Sequence, residues 1–392
     1  MSDPLLEDYR TYVHRVRRFL TLGGVRHCRG IRPEVSYGAA ILSASTCFSM
    51  ACVVLNFCWY NMKNLNVLTR GLSFVCSLIA TSLRAFCFAI NRKALIELED
   101  IIEELFENEI RNDSKPGSPL FLLLHMFDRP AYIYSFLVGG TLSMYYLPPL
   151  KSIIHQWKSP DELIYYPLPF PAKLPWTIDG HGFLYQVHFF FETMVAWFLY
   201  FTNSGVDALF GFYIFHIASL LRSMTHRLKT SLPNDEQSLL LRECVTKHAE
   251  LLRCRDILQE IYGPIILWFV LTNAVVMCAL IFQAFQTTDM TAGKFGLFAF
   301  YMFLKIVQTF SYAWYGTIVM AESEAFREGL YFVGWLDKYD RKLRSSLVIA
   351  MLQRPVTIRV LRFFYVSIDM FMKIMNTTMS YFFLLKTLDE SD

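Results

Sequence analysis

The chain has 392 residues, 54% of them hydrophobic and only 18% charged, against roughly 25% charged in a soluble globular domain. That composition excludes an ordinary soluble domain and describes a chain built for a nonaqueous solvent. A formal net charge of +3, with no RNA- or DNA-binding motif, gives no case for a nucleic-acid partner, so the basic residues are read as membrane-topology signals.

In chain order, residues 1–36 carry Asp3, Glu7 and Asp8 ahead of any apolar run. This does not fit a cleavable signal peptide, and the first apolar helix is expected to act as the insertion signal. A helix crossing the hydrocarbon core needs about 20 mostly apolar residues. Seven stretches qualify: 37–60, 67–91, 131–150, 183–206, 262–286, 295–320 and 360–385. The expected fold class is an all-α integral membrane protein with seven transmembrane helices. Lys305 interrupts the sixth stretch, and Asp369 and Lys373 the seventh.

The distribution of Lys and Arg orients the bundle. With the amino terminus inside, the cytoplasmic segments hold 27 of these residues and the outer segments 6, while Arg70, Arg84, Lys305 and Lys373 lie within spans. The amino terminus is therefore expected to be cytoplasmic and the carboxyl terminus extracellular. The organisation that follows is a cytoplasmic segment (1–36), spans one to four (37–206), a cytoplasmic helical segment (207–261), spans five and six (262–320), a second cytoplasmic helix (321–359), the seventh span (360–386) and an outer tail (387–392). This orientation argues against a G-protein-coupled receptor, which places its amino terminus outside. The motifs agree: Asp128-Arg129 precedes the third span instead of ending it, and no Asn-Pro-x-x-Tyr occurs in the seventh. The nine cysteines fall in spans or cytoplasmic segments, leaving no outer loop to be crosslinked. The two glycosylation sequons, at Asn112 and Asn376, fall in a cytoplasmic loop and a span, where neither is expected to be modified.

Between the spans, three segments stand out. The acidic run from Glu97 to Glu107 continues span two as a charged helix, most simply a solvated face. The outer loop 151–182, with Pro160, Pro167, Pro169, Phe170, Pro171, Pro175 and Trp176, reads either as a compact lid over the bundle mouth or as a solvated linker. In the cytoplasm, Leu241, Cys244, Val245, His248, Leu251, Leu252 and Leu258 repeat at helical spacing, as do Phe326, Leu330, Val333, Leu343, Leu347 and Met351 before Pro355. Each set makes an amphipathic face that either intrachain packing or subunit assembly would cover.

Within the spans, ionisable residues are costly and are candidates for function. His188 and Glu192, one turn apart, read as a structural pair or as polar groups of a pocket; Asp369 and Lys373 read as a local ion pair or as an element attracting cations. No nucleophile–base set, phosphate loop or metal spacing is present, so an enzyme is not expected and no cofactor or metal is implied. A secondary transporter would be expected to carry internal repeats or broken helices in corresponding halves, and no such symmetry is found.

The carboxyl-terminal region is the most specific part of the chain. Trp335 precedes a cytoplasmic helix, followed by Met351-Leu352-Gln353-Arg354-Pro355, then Ser367-Ile368-Asp369-Met370-Phe371, and finally Met379-Ser380-Tyr381-Phe382-Phe383-Leu384-Leu385. This stretch resembles the signature region of the insect odorant receptors, and Val245-Thr246-Lys247-His248-Ala249-Glu250 resembles the family as well. Gustatory receptors share that fold, but their closing motif of Thr-Tyr, five apolar residues and Gln-Phe is absent, since Tyr381 is followed at that distance by Thr387-Leu388. The family's shared co-receptor carries a long insertion in the second cytoplasmic loop that is missing here, so the resemblance is to a tuning subunit.

The resemblance implies a sensory-neuron plasma-membrane protein that assembles with the co-receptor as a heterotetramer. It implies a nonselective cation pore lined by the seventh helix, with Ser380, Tyr381, Leu384 and Thr387 at the gate. It also implies an odour pocket in the outer half of the bundle between spans two, three, four and six, taking a small, mostly apolar volatile of aromatic or heterocyclic type. Counting inward from the outer ends places Ser73, Phe74 and Ser77 there from span two, and Phe136, Gly139, Gly140, Ser143 and Tyr146 from span three. Phe190, Phe191 and Met194 follow from span four, then Phe300, Tyr301 and Leu304 from span six. Aromatics supply apolar area, glycines leave room, and a few hydroxyls orient a polar atom; helix packing against lipid and protein would use the same residue types.

Overall fold

The computed structural model describes residues 4–25, 33–112, 128–158, 168–174, 183–230, 235–286, 292–332, 341–352, 355–360 and 364–389. The helices in chain order are α1 (Pro4–Leu22), α2 (Pro33–Tyr60), α3 (Leu65–Ile90), α4 (Arg92–Asn112), α5 (Asp128–Lys158), α6 (Phe183–Thr230), α7 (Asp235–Gln286), α8 (Ala292–Phe332), α9 (Arg341–Leu352) and α10 (Ile368–Asp389). Two-residue strands, β1 (Arg359–Val360) and β2 (Phe364–Tyr365), pair antiparallel just before α10. The architecture is thus all-helical, as its composition predicts.

Among the described residues five helices are long and apolar enough to cross a membrane: α2, α3, α6, α7 and α8. The sequence also places spans on α5 and α10. Helix α5 runs through Pro148 and Pro149 to Lys158, eight residues beyond the expected end of span three. The expected seventh span begins later than its apolar run, at Ile368, because Arg359–Val360 and Phe364–Tyr365 are paired as strands. The start of α10 is pinned by a close approach: the carbonyl of Val366 lies where a side chain on Gly316 of α8 would be, so only glycine fits there.

Helices α6, α7 and α8, of 48, 52 and 41 residues, would span about 72, 78 and 62 Å at 1.5 Å per residue, well beyond a bilayer core of about 30 Å. Their charged ends gather at one end of the bundle. There Arg222 of α6 meets Glu322 of α8 at 3.0 Å, and the fully buried Glu109 of α4 receives Ser223 at 2.7 Å, Lys247 at 2.6 Å and Arg227 at 3.3 Å. The acidic helix is therefore a clip more than a solvated face: Leu98, Ile102, Leu105 and Phe106 enter the core, Glu99 and Glu103 hold Arg17 of α1, and Glu97 holds Arg253.

The main core lies at this same end, built on the α6 stretch 202–221, every residue of which is buried. The described members of the two amphipathic faces expected on α7 and after span six are largely covered within the chain, while Val333 and the Leu343 side chain lie outside the described residues. Leu241, Cys244, Leu251, Cys254 and Leu258 are buried, as are Phe326, Leu330 and Leu347, and His248 stacks on Phe326 with ring centroids 5.1 Å apart. At the opposite end the packing is thinner, and the faces turned outward carry large apolar side chains such as Phe48, Trp59, Phe136, Phe190, Phe285 and Phe303. An apolar exterior of that extent fits lipid, not water.

Candidate functional site

The thinner end encloses a cavity between α3, α5, α6, α7 and α8. Counted as room for the centre of a water molecule, its volume is about 80 Å³, where a single water needs roughly 10–15 Å³ by that measure. Its depth follows from the chain directions. Arg70, Ser73, Ser77, Ala80 and Arg84 line it successively along α3, and Tyr145, Leu142, Val138 and Tyr134 along α5. Gln283, Leu280, Val276, Thr272 and Phe269 line it along α7, and Tyr301, Leu304, Lys305 and Gln308 along α8.

On α3, Thr69, Ser73, Ser77 and Thr81 repeat every fourth residue. Ser73, Ser77 and Thr81 each return their hydroxyl to the carbonyl one turn earlier, at 2.9–3.0 Å. The helix thus satisfies its own hydroxyl donors in an apolar setting. Ser77 and the Tyr301 hydroxyl also lie 2.9 Å apart across the cavity. The Phe74 ring meets Tyr145 and Phe170 edge-on, at 5.0 and 5.5 Å.

Phe170 comes from the proline-rich loop, of which residues 168–174 are described. It is buried and lines the cavity. Its backbone N–H donates to the carboxylate of the fully buried Glu192 on α6 at 3.2 Å. Farther along the loop, Asn56 of α2 donates to the Lys173 carbonyl at 2.9 Å, and the Lys173 ammonium sits 3.5 Å from the Tyr60 ring centroid. In this stretch the loop is a docked roof. Glu192 accordingly serves the roof, and its own carbonyl receives the Tyr146 hydroxyl at 2.9 Å.

The floor is a buried polar network. Asp207 of α6 pairs with Arg84 of α3 at 3.1 Å and accepts from Gln308 at 2.8 Å and Tyr312 at 2.7 Å on α8. Gln308 reaches on to Tyr134 of α5 at 2.9 Å. Four helices are tied together at one carboxylate. A charge held this deep survives only when paired and hydrogen-bonded on all sides.

Of the residues expected at the ligand site, Ser73, Phe74, Ser77, Tyr301 and Leu304 line the cavity. The others lie elsewhere. Phe136 and Phe190 point outward, 72% and 67% exposed. Gly139 and Gly140 give room to the Tyr200 and Phe300 rings, so they serve helix packing. Ser143 returns its hydroxyl to Gly139, Tyr146 and Phe191 pack in a small cluster under the roof, and Met194 is half-buried away from the lining. On α5 the lining face is Tyr134, Val138, Thr141, Leu142 and Tyr145, the neighbouring stripe to the one expected. Sequence reasoning missed α7 altogether, as well as Arg84, Asn203, Lys305 and Gln308. Intramembrane charge was the available signal for Arg84 and Lys305.

Helix α10 packs on α7 and α8 through Met370, Ile374, Thr378 and Phe382, a stripe repeating every fourth residue. Ser380, Tyr381, Leu384 and Thr387 lie on its uncovered side, together with Asp369, Lys373 and Asn376. No ion pair joins Asp369 to Lys373 among the described residues; the Lys373 ammonium lies 5.9 Å from the Phe364 ring centroid.

Residues 64–379 match the model of the 7tm odorant receptor family. The odorant receptor 82a of Drosophila melanogaster is 23% identical over 350 residues, covering 86% of this chain and 88% of that protein. The odorant receptor coreceptor of Anopheles gambiae is 25% identical over 180 residues, covering 44% of this chain and 37% of that one. Among solved structures, the olfactory receptor OR5 of Machilis hrabei in complex with eugenol superposes with a TM-score of 0.74 at 14% identity, over 97% of this chain and all of that one.

Proposed function

Because the chain belongs to the insect odorant receptor family, we propose that it is the odour-binding subunit of a ligand-gated, nonselective cation channel that assembles with the family's co-receptor in the plasma membrane of sensory neurons. The observation that carries this reading is the roofed cavity among α3, α5, α6, α7 and α8, formed in a chain whose α10 leaves one face uncovered. A ligand site needs an enclosed, largely apolar volume with a few placed polar groups. A pore helix needs a packed face and a face toward the axis, and Asp369, Lys373, Asn376, Ser380 and Thr387 supply polar groups on the free side.

In this reading the amino terminus is cytoplasmic, the roof is extracellular, and the ion-paired ends of α4, α6, α7 and α8 form the cytoplasmic anchor. The tuning role is supported by the contrast in coverage, 88% of the length of one odorant receptor against 37% of a coreceptor, and by the four residues separating α6 from α7, which leave no room for an insertion in that loop. The ligand is a small volatile held mainly by packing; the solved relative was captured with eugenol, an aromatic compound of the size expected.

The test is expression with and without the co-receptor in a non-olfactory cell. Co-expression is expected to yield a cation current on adding volatiles from a broad panel, and the chain alone little or none. Robust odour-gated current from the chain alone would overturn the tuning-subunit assignment. Normal surface expression of the pair without any evoked current would overturn the channel reading.

A further inference from the structure

The charges around the cavity do not balance. Arg70, Lys305 and Arg84 line it at the mouth, in the middle and at the floor, and among the described residues no aspartate or glutamate lines it. The Arg84 charge is matched by Asp207 just below the lining. Among the described residues no carboxylate pairs with Lys305 or Arg70. The Lys305 ammonium instead lies 5.7 Å from the centroid of the Tyr301 ring, and Arg84 is its like-charged neighbour.

An amine left without a counter-charge inside a helix bundle is costly, and intramembrane charges that persist are those that pair. With Arg84 matched by Asp207 and Arg70 exposed at the mouth, Lys305 is the cation inside the cavity that an entering anion would meet. Much of the remaining wall is apolar, with Phe74, Val138, Leu142 and Leu304 among its members.

We propose that this cavity selects organic acids, a carboxylic acid being held as its carboxylate against Lys305 with its hydrocarbon tail on the apolar wall. The inference rests on the ligand-gated reading and deepens it by naming the ligand class. Esters and alcohols of the same chain length fill the same volume but leave the amine without its counter-charge, so their disadvantage is electrostatic and not steric.

The test compares hexanoic acid, methyl hexanoate, 1-hexanol and hexylamine on the co-expressed channel, together with melting of the purified protein in the presence of hexanoate. Hexanoic acid is expected to be the most potent of the four and hexylamine the least. Lys305→Met should raise the half-maximal concentration for the acid by about 10- to 100-fold, the loss of one charge-assisted hydrogen bond away from water. The ester should move far less. Lys305→Arg should keep most of the preference for the acid. Hexanoate should raise the melting temperature of the wild-type protein but not of Lys305→Met.

Equal or greater potency of the ester on the wild-type channel, or a Lys305→Met shift common to acid and ester, would overturn the proposal while leaving the odour-gated reading in place. Lysine-dependent stabilisation by hexanoate in a co-expressed pair that passes no current for any volatile would keep the site and overturn the channel reading. Neither current nor stabilisation by hexanoate overturns both.

Discussion

The two ends of the bundle are built on different physics. At the far end, where α4, α6, α7 and α8 converge, α6 is buried on every side through residues 202–221 and Glu109 is enclosed by Ser223, Arg227 and Lys247. At the roofed end the same long helices diverge around a cavity, and their outward faces are apolar. The far end gathers ion pairs and a continuous buried core. Between helices in lipid, close packing and hydrogen bonds are what hold the bundle together. The contrast teaches why a ligand cavity can sit at one end without loosening the other: Asp207, Arg84, Gln308 and Tyr312 close off the cavity floor where the two regions meet.

The largest expected effect comes from breaking that junction. Asp207→Ala leaves Arg84 buried without its partner and should cost about 3–5 kcal/mol, as seen when one member of a buried pair is removed, with the protein lost from the cell surface. Arg84→Met combined with Asp207→Leu should recover most of the loss in melting and surface-labelling assays. If the double variant fares no better than the single one, the pair is not what ties the two regions together.

A smaller quantity, the difference between two variants, sharpens the comparison between the ends. Tyr262, fully buried and donating to the Val206 carbonyl at 3.0 Å, belongs to the dense end, and Tyr262→Ala should cost about 3–5 kcal/mol. Leu304→Ala on the cavity wall enlarges an existing space and should fall near the lower limit of the Leu→Ala range, about 2 kcal/mol. Thermal melting of both variants in detergent measures the difference, and equal costs would contradict the contrast in packing.

Third comes the roof. Phe170→Ala removes the buried ring seated on Phe74, an edge-to-face contact worth about 0.5–1.5 kcal/mol beyond its area burial, so the odour dose-response curve should shift by about two- to tenfold at matched surface expression. An unmoved curve would separate the roof from the ligand. The least effect on stability is expected at Leu384, exposed on the free face of α10. Leu384→Ala should leave folding intact yet raise basal leak or alter gating of the co-expressed channel, since an apolar constriction closes a pore by dewetting. Unchanged basal and evoked currents at normal surface levels would remove this residue from the gate.

Much of the helical layout was legible in the chain, because long apolar runs can only satisfy their backbone in lipid as helices. The amphipathic repeats at Leu241–Leu258 and at Phe326 and Leu330 were legible too, and the structure covers them within the chain. The candidate site was legible where composition was asymmetric: on α3, hydroxyls and Phe74 repeat on one face, and Ser73, Phe74 and Ser77 line the cavity. On α5 and α6 it was not. Aromatic and small residues surround those helices, so Phe136 facing lipid and Val138 facing the cavity look alike in sequence. Helix α7 was missed because Phe269, Val276 and Leu280 carry nothing to distinguish a cavity wall from a packed core.

By itself, then, the sequence determined that this protein is a helical membrane protein of the odorant receptor family, through hydropathy and the motifs from Trp335 to Leu385. Tertiary structure alone decided which side of each helix faces the cavity, that Glu109 and Asp207 are interhelical hubs, and that Glu192 holds the roof. The reason is physical. Hydropathy is a property of each residue in turn and survives in the linear chain, whereas a helix's rotation about its axis and a carboxylate's partners depend on residues more than a hundred positions away, as Arg84 and Asp207 are from each other.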